Sequence, residues 1–135
     1  MQNISNANTL MARTMGFLVL SIALIIGAAH AMDSRSGQFT GLNNHTVTGT
    51  ATIVKTDTGY QIQLSDDFVF DGAPDPKIAL GTDGEYDHGT LIRLLDSNTG
   101  AQTYDIPAGI DVSKYNEVHI WCEKFAVGLA VAPVN

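Results

Sequence analysis

Tyr115 to Ala132 reads YNEVHIWCEKFAVGLAVA, and its spacing decides the fold. Val118, Ile120 and Cys122 recur at every second position, and so do Phe125, Val127, Leu129 and Val131. A period of two is the mark of a strand, because successive side chains point to opposite faces of a sheet. The two sets differ in parity, so one straight strand cannot carry both on one face. A bulge or tight turn at Glu123-Lys124 resolves the conflict by shifting the register by one residue. The stretch therefore predicts a terminal hairpin, with Trp121 and Phe125 in the core and Cys122 at the break.

Upstream the same grammar repeats. Gly37 to Leu42 reads as an opening strand and His45 to Thr56 as a second. Asp57-Thr58-Gly59 is a turn, since Asp starts turns and Gly accepts positive φ, and Tyr60 to Leu64 returns antiparallel. Ser65 to Asp71 reads as an acidic loop and Gly72 to Pro76 as a connection stiffened by its prolines. Lys77 to Leu80, Thr90 to Leu95 and Ala101 to Ile106 read as further strands, with Gly81 to Gly89 a polar loop between the first two. Asp111 to Tyr115 predicts one helical turn. No amphipathic helical period is present. Short strands separated by turn signals predict an all-β protein, an antiparallel sandwich or barrel of about eight strands.

The first residues follow different rules. Arg13, the apolar run Gly16 to Gly27 and the Ala29-His30-Ala31 box form the pattern of a secretory signal peptide. The run is shorter than the about 20 residues of a membrane span. Cleavage after Ala31 is expected, an uncleaved anchor being the alternative, and Met32 to Asn135 is then a single small domain in the periplasm or outside the cell. Of the 7 basic residues Arg13 is lost while all 14 acidic ones stay, so the mature chain is one charge more negative than the full chain's −7. Such a surface repels nucleic-acid phosphates and anionic lipid, which leaves a protein or redox partner. Solubility is the plain reason for it.

An exported chain ordinarily uses cysteines in pairs, yet this one has a single cysteine, Cys122. That thiol is buried and inert, bonded to another molecule, or kept for its own chemistry. His119 and Lys124 stand near it in sequence and supply positive charge that favours a thiolate. As a small hydrophobe, the same residue would simply fill space. His119 and Cys122, three apart on a strand, face opposite ways, so they do not make a metal pair. No His or Met follows Cys122 as a copper loop requires. Asp83, Glu85 and Asp87 alternate in a Gly-rich loop but put His88 and Leu94 where an EF-hand has Gly and Glu. No metal site is expected. Asn44-His45-Thr46 is a glycosylation sequon, with meaning only in a eukaryotic secretory route. Hydrolase patterns find no support.

Taken together, Gly37-Gln38-Phe39, His45 to Thr50, Leu64 to Phe68, Gly72 to Pro76, Tyr104 to Pro107, Asp111 to Tyr115, Val118 to Cys122 and Phe125 to Ala132 stand in an order that resembles the DM-thirteen domain family. That module is found beside DOMON domains in animal proteins and alone in bacteria. The resemblance covers Gly37 to Ala132. It implies a β-rich fold and places the family cysteine on Cys122. It also implies a redox or electron-transfer role, with the cysteine acting as a bare thiol or as ligand to a group such as haem. No cofactor is required by this reading. The chain lacks the Cys-x-x-Cys-His attachment, so a haem would be held without covalent bonds, by the Cys122 thiolate or a histidine. His119 and Trp121 are the neighbours that would line a cofactor. The competing expectation is a binding or adhesion module in which Cys122 is core.

Overall fold

The computed structural model describes residues 33–135; the expected signal peptide, Met1 to Ala31, lies outside them. Twelve strands form: β1 (Ser34–Gln38), β2 (Thr40–Gly41), β3 (Val47–Thr48), β4 (Thr50–Thr56), β5 (Gly59–Leu64), β6 (Val69–Phe70), β7 (Pro76–Thr82), β8 (Glu85–Tyr86), β9 (Arg93–Leu94), β10 (Gln102–Ile106), β11 (Glu117–Cys122) and β12 (Val127–Pro133). All named pairings are antiparallel. The protein is all-β, as its periodicity requires. The strand count exceeds eight because five of the strands are two residues long, too short for any alternation to register.

One sheet has the order β1-β4-β5-β10, the other β2-β12-β11-β7-β8 with β9 also on β7, and β3 pairs with β6 as a separate ribbon. The two large sheets face each other across a common core. Ala51, Ile53, Ile62, Leu64, Tyr104 and Ile106 come from the first sheet. Ile78, Leu80, Val118, Ile120, Cys122 and Leu129 come from the second. Apolar burial from both sides is the main stabilising term for such a sandwich.

Two expected strands are each split. The chain changes sheets at Phe39, which is buried between β1 and β2 and whose N–H bonds to the Gly49 carbonyl. Gly49, between β3 and β4, has φ +98, and a Cβ there would stand 2.7 Å from the Phe68 Cα. Only glycine allows that approach. The Asp57-Thr58 turn closes β4 and β5 as expected, with Thr56 opposite Gly59. The loop expected over Ser65 to Asp71 contains β6, and the strand expected over Thr90 to Leu95 is instead a 3₁₀ turn (His88–Thr90) followed by β9. A second 3₁₀ turn (Val112–Lys114) lies where one helical turn was expected. Among the described residues no helix is long and apolar enough to cross a membrane.

In the terminal hairpin the turn falls at Glu123–Ala126, with Ala126 in the left-handed region at φ 49. A bulge also forms, one strand later than the turn: Ile120 faces Ala130 and Trp121 faces Gly128, so Leu129 is the extra residue. Leu129, Ala130, Ala132 and Val134 are consequently all buried, and Val131 is turned away from the core. Phe125, expected inside, is 62% exposed at the turn. Trp121 is also corrected, being half-buried on the outer face of its sheet. Its parity with His119 and Glu117 takes it away from Val118, Ile120 and Cys122.

Candidate functional site

The strand β11 presents two sites back to back. On the inner face, Cys122 ends the strand opposite Pro76 of β7 and Val127 of β12. It is 1% exposed, a free thiol within the hydrophobic core. Enclosed in this way, it gives a partner sulfur no path along an S–S axis in the closed fold. The break in the hairpin is where the sequence puts it, but the sulfur points into the sandwich and not out through the break.

On the outer face, Glu117 lies opposite Gly81 and His119 opposite Ala79. These small residues leave room for large polar ones. A Cβ on Gly81 would come within 2.5 Å of His119 Nε2 and 2.3 Å of the Glu85 carbonyl oxygen. His119 Nε2 is 2.9 Å from Glu117 Oε2, and the Gly84 N–H donates to the same carboxylate at 2.9 Å. Glu117 and His119 are 8% and 2% exposed. Their burial is tolerable because they bond to each other, and among the described residues no fully buried side-chain polar atom lacks a partner. The pair ties β11 to the tip of the β7–β8 hairpin.

That hairpin carries the rest of the outer site. Asp83 (φ 57) and Gly84 (φ 83) both have positive φ, the requirement of a type I′ turn. It brings Tyr86 onto Trp121, with ring centroids 4.5 Å apart and planes 26° from parallel. His88 stands 4.5 Å from Tyr86 and edge-on to Trp121 at 5.8 Å. Stacking at this distance adds to plain area burial. A cleft of about 380 Å³ opens beside the stack, lined by Thr82, Glu85, Tyr86, Asp87, His88 and Tyr115. The Tyr115 hydroxyl donates to Asp87 Oδ2 at 2.7 Å and the Gly89 N–H to Oδ1 at 2.8 Å. These two bonds, that from Tyr115 foremost, hold the Asp87 carboxyl below its ordinary range. The same contact raises the Tyr115 phenol, and burial, then Glu123 and Asp87, raise that of Tyr86. At neutral pH the cleft holds ionised Asp87 and two protonated phenols.

The structure thus separates the three expected site residues. Trp121 and His119 share the outer face, and Cys122 lies behind them. The arrangement does not suit haem, because Cys122 is enclosed by the core and His119 Nε2 is committed to Glu117. Among the described residues no three His, Cys, Asp or Glu side chains come together as a metal site. The Asp83-Gly84 dipeptide, a hairpin signal in its own right, is the clue that Tyr86 belongs to the sheet, with His88 in the 3₁₀ turn just after it. Glu117 carried no such clue, since alternation alone puts it on the solvent side.

A family model described as "Electron transfer DM13" matches residues 38–134. No curated protein and no solved structure matches the chain significantly.

Proposed function

The chain belongs to the electron transfer DM13 family, and from that premise we infer that it is an exported electron-transfer module working through Cys122 without a bound cofactor. The observation that carries the reading is that the family match extends across the only thiol of the chain. The thiol ends β11 directly before a four-residue turn held by the Ala126 N–H to Glu123 carbonyl bond, by the Glu123 and Lys124 N–H groups on Asp75, and by the Lys77–Glu123 pair. Opening this end of the hairpin, with release of its surface bonds to Asp75 and Lys77, is a local event of lower cost than unfolding. Once reached, Cys122 gives its proton to water and attacks a disulfide of the partner. The new S–S bond forms as the partner's second sulfur leaves as thiolate, so the partner's disulfide is reduced and Cys122 is oxidised. Export rests on Gly16 to Gly27 and the Ala29-His30-Ala31 box.

A binding or adhesion module with Cys122 as core is the second reading, and the 1% exposure of Cys122 favours it. Alkylation of native protein at neutral pH, compared with denatured protein, separates the two. The redox reading expects measurable native labelling and a Cys122→Ser variant that loses redox activity while melting close to the unchanged chain. Absent labelling, together with a loss of about 1–3 kcal/mol in Cys122→Ser from the buried hydroxyl, overturns it.

A further inference from the structure

We propose that the cleft beside the Tyr86–Trp121 stack is a docking site for a lysine or arginine side chain of a basic protein partner. The proposal rests on the electron-transfer reading only for the identity of that partner. Tyr86 and Tyr115 line it with aromatic rings, and Glu85 and Asp87 offer carboxylates, while His88 is its one basic side chain and no Lys or Arg lines it. The nearest cation behind the stack, Lys77, is already taken by Glu123 and lies 3.8 Å from Asp75. Hydrogen bonds from Tyr115 and Gly89 keep Asp87 in place and aim its negative charge without neutralising it. A long cationic side chain can lay its methylenes along a tyrosine ring while its head reaches a carboxylate. An anion, a haem propionate included, would meet like charge.

The surroundings favour a protein over a small free cation. Leu94, 50% exposed, lies opposite Lys77 on β9, and Lys77 lies opposite Trp121. Phe125, 62% exposed, stands at the end of the same sheet. Apolar anchors beside a charged cleft are what a protein interface uses. With 14 acidic residues against 7 basic ones, the chain attracts a basic partner at long range, and the cleft gives that attraction a place to land. The stack then runs from the cleft to the residue preceding Cys122.

The test is calorimetric titration of the chain with a decalysine peptide at low salt. Saturable binding is expected, and Glu85→Gln together with Asp87→Asn should weaken it by about tenfold, the equivalent of 1.4 kcal/mol. Glu85→Gln alone and Tyr86→Leu should each weaken it, which covers the case in which Asp87→Asn disturbs the 3₁₀ turn. Asp57→Asn with Asp66→Asn removes the same charge from exposed positions elsewhere and should change affinity by no more than about twofold. Equal weakening in both double variants, or the absence of saturable binding, overturns the proposal. Cys122→Ser should bind as the unchanged chain does, so failure of the thiol chemistry and failure of this site are distinguishable.

Discussion

The two faces of β11 are almost equally buried from Glu117 to Ile120, and they are built on opposite principles. Val118, Ile120 and Cys122 on the inner face are 0–1% exposed among aliphatic neighbours. Glu117 and His119 on the outer face are 8% and 2% exposed, yet they are held by hydrogen bonds to each other and to Gly84. The inner face is stabilised by area and tolerates changes of shape in proportion to volume. The outer face depends on complete pairing, and one missing partner leaves a buried polar group exposed to its full desolvation cost. Burial by itself therefore does not tell which face performs chemistry.

The comparison can be broken at four places. Ile120→Ala should cost about 2–5 kcal/mol in a urea titration, the range for a fully buried aliphatic side chain. A loss below 1 kcal/mol would mean that the sheets do not close on this strand. Glu117→Ala should cost about 1–3 kcal/mol, since His119 and the Gly84 N–H lose their acceptor. Amide exchange at Gly84 should quicken far more than at Ile120, and unchanged exchange would deny that the carboxylate holds the hairpin. Trp121→Ala, at a half-buried stacked position, should cost about 1–2 kcal/mol from lost area and the lost Tyr86 contact, well under the loss expected of a core tryptophan. Phe125→Ala, at the exposed turn, should stay within about 0.5 kcal/mol. A larger effect in thermal melts would show that the turn packs on something other than solvent.

The hairpins were the most legible part of the fold. Tyr60 to Leu64 and its Asp57-Thr58-Gly59 turn stand where the alternation and the turn residues put them, because register and turn chemistry agree there. The terminal hairpin was half legible. The parity conflict in its sequence announces a break, but a bulge at Leu129 and a turn at Glu123–Ala126 both shift parity. Alternation cannot divide one shift between two devices, and so it puts Phe125 inward. Trp121 was misplaced for a different reason. Hydrophobicity argues for the core, while its position one residue from Cys122 argues for the opposite face, and on a regular strand geometry prevails. The outer site was hidden because Tyr86 reaches Trp121 from a two-residue strand and His88 from the 3₁₀ turn after it, both too short to leave a pattern.

At the far edge of the sandwich, Ser36 and Asn135 exchange two backbone hydrogen bonds of 3.3 and 3.4 Å, and Gly37 lies so near the Pro133 carbonyl that a Cβ would stand 1.6 Å from its oxygen. The first described strand is thereby fastened to the last residues of the chain. A tail held in this way does not fray freely: Val134 is 1% exposed and its N–H bonds to the Asn116 carbonyl. Removing Val134 and Asn135 should therefore loosen the β1 edge at Ser36 before it loosens β10 at the opposite edge of the same sheet.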